Sequence, residues 1–185
     1  MMAGILLLVT GAAAASAASV GSALFQHAQA DPAGVTLGSG HRYSLDLALG
    51  SLMPGETIRA RRLVTNQAGL AVRYALSSAS ADDDHAGLRD LLAVTVRTAD
   101  LGSGVAGSCT AFDGRTLYDG PLGADAAGFG DARMGDQTGD RVLAPGGREA
   151  LCFELRMGLD AGNEIQGSGT STIWTIALEQ VAGNP

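Results

Sequence analysis

The residues able to do chemistry are few. Beyond the first thirty positions the chain has two histidines, His41 and His85, and His85 closes the acidic run Asp82-Asp83-Asp84. Imidazole and carboxylate are what a catalytic divalent metal takes, often as two His one helical turn apart. No HExxH occurs, and consecutive residues on one segment point in different directions. A solvated turn and helix cap is therefore the preferred reading of 82–85, with His41, His85, Asp82 and Asp84 the only candidates for a metal site. Asp131, Asp136 and Asp140 lie in a Gly-rich stretch but lack the D-x-D-x-D-G spacing and distal Glu of a calcium loop. Gly102-Ser103-Gly104-Val105-Ala106-Gly107 matches GxGxxG, yet the next residues, Ser108-Cys109-Thr110-Ala111-Phe112-Asp113-Gly114, cannot open the helix a dinucleotide site needs. Ser168 and Ser171 sit outside any GxSxG, and Arg59, Arg61 and Arg62 read as an exposed strand face. No catalytic constellation emerges, and neither a cofactor nor a metal is expected.

The elements that would position these groups are strands. Tyr43, Leu45, Leu47 and Leu49 alternate with polar residues between His41 and Gly50, the period of a half-buried strand. A second strand is expected over Thr57–Thr65, with Ile58, Ala60 and Val64 inward, and a third carries Leu70, Val72, Tyr74 and Leu76. Leu88, Leu91 and Leu92 at helical spacing predict one short helix capped by Asp83 or Asp84. Further strands are expected at Ala93–Thr98 and Thr116–Leu122, and another carries Leu151, Phe153, Leu155 and Met157. A final strand is apolar on both faces, with Thr172, Trp174, Ile176 and Leu178 opposing Ile173, Thr175 and Ala177, which places it mid-sheet. Seven to nine short strands separated by Gly/Pro turns predict an all-β, antiparallel β-sandwich. Leu52-x-Pro54-Gly55 and Leu143-x-Pro145-Gly146 each introduce an alternating strand, and this echo suits two sheets entered by similar turns.

Composition narrows the class. All 12 basic residues are Arg, and 19 acidic residues leave a net charge of −7. An acidic chain without a basic run offers no footprint for nucleic acid or for anionic lipid. The first thirty residues hold no charged side chain, and Ile5-Leu6-Leu7-Leu8-Val9 runs through Ala/Ser/Gly to Ala28-Gln29-Ala30. This is the pattern of a secretory signal peptide cleaved after Ala30, or after Ala23, although the usual basic start is missing and an uncleaved anchor is the alternative. The expected organisation is a signal peptide over 1–30 and a single β-sandwich domain over 31–185, secreted, with no membrane attachment after cleavage. Cys109 and Cys152, an even pair outside the cytoplasm, then read as a disulfide rather than two buried thiols.

Taken in order, several short segments resemble the TasA/camelysin family of secreted bacterial proteins. They are Gly21-Ser22-Ala23-Leu24-Phe25, Leu52-x-Pro54-Gly55-Glu56, Asn66-x-x-Gly69, Leu117-Tyr118-Asp119-Gly120-Pro121-Leu122, Leu143-x-Pro145-Gly146, Asn163-x-x-Gln166-Gly167 and the closing Ala177-Leu178-Glu179-Gln180. The Cys pair and Arg-only basicity look like a high-GC actinobacterial branch. The resemblance implies a jelly-roll-like sandwich exported through a dedicated signal peptidase. It also implies a structural protein of the extracellular or biofilm matrix whose partners are itself, in a fibre or oligomer, or other matrix and surface components. Val35, Thr36 and Leu37 are then the expected assembly residues, donated as an N-terminal strand to the next subunit by β-augmentation. A camelysin-like secreted metalloendopeptidase is the alternative; a glycan- or protein-binding module is a third reading, disfavoured by the eight-aromatic content.

Overall fold

The computed structural model describes residues 21–25, 34–37, 42–45, 51–99, 109 and 112–181. Twelve strands occur among them. The first four are short: β1 (Gly21–Phe25), β2 (Gly34–Leu37), β3 (Arg42–Leu45) and β4 (Ser51–Leu52). Then come β5 (Thr57–Asn66), β6 (Val72–Ser80), β7 (Leu92–Ala99) and β8 (Thr116–Pro121). The last are β9 (Gly128–Phe129), β10 (Arg141–Leu143), β11 (Arg148–Met157) and β12 (Ser168–Gln180).

Four antiparallel pairings nest inside one another along the chain: β3 with β12, β5 with β11, β6 with β9 and β10, and β7 with β8. Rolled up, that ladder gives one sheet ordered β3-β12-β6-β10 and a second ordered β5-β11-β7-β8. This is jelly-roll connectivity, with eight strand positions if β9 and β10 share one. The expected all-β antiparallel sandwich is the fold of the chain. Three strands stand outside this nested ladder. β1 runs parallel to β12 over 168–172 and antiparallel to β4, and β2 runs parallel to β5 over 63–66.

The inward faces obey the alternation. Val72, Tyr74 and Leu76 of β6 and Trp174, Ile176 and Leu178 of β12 meet Val94 and Val96 of β7 and Leu151, Phe153 and Leu155 of β11. Phe153 and Trp174 touch edge to face across the two sheets, their centroids 5.3 Å apart, the arrangement ring quadrupoles favour. Toward the start of β12 the inward positions change character to Ser78, Ser80, Ser168, Thr170 and Thr172, all buried. Most of these hydroxyls are bonded internally: Ser80 with Thr172 at 2.9 Å, Thr170 to Ala81 O at 2.6 Å, and Ser168 to Ile165 O at 2.6 Å. That polar end corrects the expected third strand. Residues 77–80 belong to β6, paired in register with Thr172–Thr175 of β12, and the inward Ser80 hydroxyl finds its partner in Thr172 instead of water.

Two further expectations change. The short helix is a single 3₁₀ turn, Leu88–Leu91, entered from Gly87 in a left-handed conformation with no side-chain cap. Asp83 and Asp84 do not cap it. The two Leu-x-Pro-Gly turns do not open two different sheets. Gly55 and Gly146 both take positive φ, but the strands they introduce, β5 and β11, are neighbours in one sheet. Asn66 ties this arrangement together from full burial. Its Nδ2 donates to Leu70 O, Leu143 O and Ala144 O at 2.9–3.1 Å, and its Oδ1 accepts from Ala68 N at 2.9 Å. One carboxamide thus closes its own turn and grips the second Leu-x-Pro-Gly turn.

Candidate functional site

The most elaborated side-chain cluster lies on the outer face of the β5-β11-β7-β8 sheet. Cys152 projects outward because Leu151 and Phe153, its neighbours on β11, point into the core. It is joined to Cys109, with a Cα–Cα distance of 5.8 Å. In register beside it stand Arg61 on β5 and Arg97 on β7. One rung along, Arg59 faces Glu154 and pairs with it at 2.7 Å. The segment running into β8 crosses above. Its Phe112 ring lies between two guanidiniums, Arg59 at 4.8 Å and Arg97 at 4.9 Å from the centroid. Arg97 Nη1 also donates to Phe112 O at 3.2 Å. Two bonds join the next residues to β7, Thr98 N to Arg115 O at 3.0 Å and Arg115 N to Thr98 Oγ1 at 2.9 Å. Arg59 and Arg61 of the expected exposed face are therefore partly covered, whereas Arg62, in register with Leu151, belongs to the opposite phase of β5. The sequence reading missed Arg97 and Phe112. Continuing the alternation of β7 puts Arg97 on the outer face, and Phe112 lies three residues from the bridging Cys109.

The metal candidates separate into two groups. His41 lies outside the described residues, as does the GxGxxG match at 102–107. Asp82, Asp84 and His85 share one turn, but its carboxylates serve the backbone. Asp82 Oδ1 accepts from Gly87 N at 3.0 Å, and Asp84 accepts from Ala86 N at 3.1 Å and from Gly169 N at 2.8 Å. Asp84 thereby extends the β6–β12 ladder by one rung, standing in for a backbone carbonyl. The Gly169 and Ala86 N–H groups hold its carboxyl below the usual carboxylate value. His85 sits at φ 56°, left-handed for a non-glycine residue, so the turn is fixed by geometry as well as by these bonds. Among the described residues no three His, Cys, Asp or Glu side chains stand together as a metal would need.

Two more clusters are structural in their bonding. A cleft of about 320 Å³ opens on the outer face of the β3-β12-β6-β10 sheet, beneath the 131–140 loop. Its charged groups are already engaged: Arg73 with Glu179 at 2.7 Å, Arg133 with Asp131 at 2.6 Å, and Asp140 with the N–H groups of Asp131 and Gln137. At the mouth between the sheets, Tyr74 OH donates to Glu149 Oε2 at 2.5 Å and Arg141 pairs with the same carboxylate. Burial first, and then the charge of Glu149, hold the Tyr74 phenol un-ionised far above its usual range. Glu149 also escaped the sequence reading, though the inward phase of Leu151 and Phe153 carries back to it.

The assembly residues Val35, Thr36 and Leu37 lie in β2, in parallel register with Val64, Thr65 and Asn66 of β5. No protein-family model matches the chain, and no curated protein or solved structure does either. Its chemistry is therefore read from its own residues. Of the short segments singled out in the sequence, 52–56, 66–69, 143–146 and 163–167 lie at turns, whereas 21–25, 117–122 and 177–180 lie along β1, β8 and β12. Gly55 N donates to Met157 O at 3.1 Å, the Asn66 carboxamide joins its own turn to Leu143–Ala144, and Gln166 N closes on Asn163 O at 3.1 Å. Within β8, Tyr118 OH donates to Pro121 O at 2.6 Å. No helix among the described residues is long and apolar enough to cross a membrane.

Proposed function

We propose that the chain is a secreted, non-enzymatic structural or surface protein of the extracellular matrix, TasA-like, which assembles with copies of itself by N-terminal strand donation. The observation that carries this reading is β2. Residues 34–37 add to the edge of β5 in parallel, outside the nested antiparallel ladder that makes the sandwich. Backbone N–H and C=O groups supply most of such an attachment, and the same edge is chemically open to the same segment from a second copy. The joined cysteines support an oxidising compartment for the mature chain. The camelysin-like peptidase alternative gains no support from the 82–85 turn, whose carboxylates are bonded to the protein's own backbone.

The test is size-exclusion chromatography and electron microscopy of secreted protein with and without residues 31–40. Filaments or oligomers that vanish on deletion are expected. If both forms stay monomeric at high concentration, strand donation is wrong. N-terminal sequencing of the secreted material tests the signal-peptide boundary in the same preparation.

A further inference from the structure

Four of the six large apolar side chains exposed among the described residues stand at the two ends of the sandwich. At the end where β11 stops and β12 starts are Met53, 55% exposed, and Leu159, 85% exposed. Leu159 stands on Gly55, where a Cβ would lie 2.6 Å from Leu159 Cδ2. Backbone bonds hold the neighbouring segments, Gly55 N to Met157 O at 3.1 Å and Gly158 N to Leu91 O at 3.4 Å. The same end carries the exposed carboxylates of Glu56, Asp83, Asp125, Asp160 and Glu164, none in an ion pair among the described residues. Its cations are Arg89, whose Nη1 donates to Ser80 O at 2.9 Å, and Arg156 on the last rungs of β11. The opposite end, where β11 starts, is built the other way. Leu70 and Val142 are 46% and 57% exposed there. A cleft of about 440 Å³ opens between β10 and the ends of β7 and β11, its apolar lining Ala99, Val142, Leu143 and Ala150. Arg141 on its wall pairs with Glu149, while Arg148 is exposed with no ion pair among the described residues. One end thus presents an apolar knob set in negative charge, and the other an apolar cleft with an unpaired guanidinium on its wall.

We propose that copies of this chain stack head to tail, Leu159 of one copy seated in the cleft between β7, β10 and β11 of the next. The inference rests on the self-association proposed above and adds to strand donation a second, side-chain contact. The leucine is buried against Val142, Leu143, Ala99 and Ala150, and Asp160, the next residue, reaches Arg148. Removal of apolar surface from water supplies the attraction. Charge supplies the direction, because two acidic ends brought together repel, whereas an acidic end and Arg148 attract. The two surfaces lie at opposite ends of one molecule, so the contact is heterologous and, repeated, builds an open filament or a ring. β2 pairs with Leu63–Asn66 at the end that holds the cleft, so both attachments use the same end of the accepting copy.

The experiment is sedimentation velocity of the secreted protein, residues 31–40 in place, over a concentration series at low and at high salt. The parent is expected to associate, and less so at high salt. Leu159→Asp, Arg148→Glu and Asp160→Arg are each expected to raise the dissociation constant about tenfold. All three positions are exposed, so the changes spare the core. An equimolar mixture of the Arg148→Glu and Asp160→Arg proteins is expected to associate as the parent does, because reversed end then meets reversed end and intact end meets intact end. Both changes in one chain should restore association in the same way. Association indifferent to salt, variants that associate like the parent, or a mixture no better than its components would each overturn stacking and leave strand donation standing. Association that survives deletion of residues 31–40 and still follows the charge swap would uphold stacking and overturn strand donation. A parent monomeric at high concentration overturns both.

Discussion

Asn66→Ala tests whether a single carboxamide holds the end of β5 to the Leu143-x-Pro145-Gly146 turn that opens β11. The side chain is fully buried, donates from Nδ2 to three carbonyls and accepts one N–H. Two amide hydrogens serve three acceptors, so the cluster counts as about three bonds at a net ~1 kcal/mol each. The contact to Leu143 O is itself buried, and that carbonyl would lose a donor without gaining water, which costs about 1–3 kcal/mol by itself. The expected loss is about 3 kcal/mol. With a urea m-value of about 2 kcal/mol/M, the midpoint falls by about 1.5 M at unchanged slope. Asn66→Asp sharpens the argument. It keeps the shape but brings a carboxylate against three carbonyl oxygens with no hydrogen to give, so at neutral pH it is expected to lose at least as much as Asn66→Ala. Urea unfolding of the three oxidised proteins is the assay. A midpoint drop under about 0.5 M for Asn66→Ala, or an Asn66→Asp protein as stable as the parent, refutes the clamp.

Replacing both cysteines by alanine is expected to leave a folded sandwich about 3–4 kcal/mol less stable, the unfolded-state entropy of the loop that spans a sequence separation of 43, and calorimetry reads it directly. Trp174→Ala should cost about 3–5 kcal/mol, since it removes the largest fully buried side chain and the ring that meets Phe153 across the sheets; urea unfolding measures it. For Asp84 the folded carboxyl titrates below its unfolded value, so its contribution is present above about pH 4 and is lost as pH falls through the folded value. Asp84→Asn should flatten the acid limb of a stability–pH profile, and an unchanged limb would argue against the Gly169 bond. Tyr74 shifts the other way: its contribution holds below the ordinary phenol range and is lost as pH rises. Of the three tyrosines, Tyr74 should resist ultraviolet titration until alkaline unfolding exposes it.

Strands with inward apolar residues were legible because their alternation reports directly which face is buried. Leu151, Phe153, Leu155 and Met157 show it, as do Trp174, Ile176 and Leu178. The extension of β6 through Ser80 was not legible. Hydroxyls at inward positions look the same in sequence whether they bond across a sheet or face water, and only the Ser80–Thr172 contact decides between them. The helix was over-read for a related reason. Leu88, Leu91 and Leu92 have helical spacing, but Gly87 enters left-handed and the chain returns at once to β7, leaving one turn. On the outer face of the second sheet, Arg59 and Arg61 were placed correctly, while their cover was invisible because Phe112 comes from a segment without periodicity.

Asn66 and the two Leu-x-Pro-Gly turns lead to a general point about this chain. Four of the seven segments behind the expected TasA/camelysin resemblance set positive φ, close turns or satisfy buried carbonyls, and these are demands of the jelly roll itself. A sandwich needs such devices whether it polymerises, binds or cleaves, so they speak to architecture. Function has to come from what the ladder does not require. The addition of β2 in parallel at the edge of β5 meets that condition. It does not close the sandwich, since the nested antiparallel pairs and the Phe153–Trp174 core already do so. Deleting residues 31–40 should therefore alter assembly while leaving the sandwich folded. Asn66→Ala should do the reverse, lowering stability while sparing the register of β2.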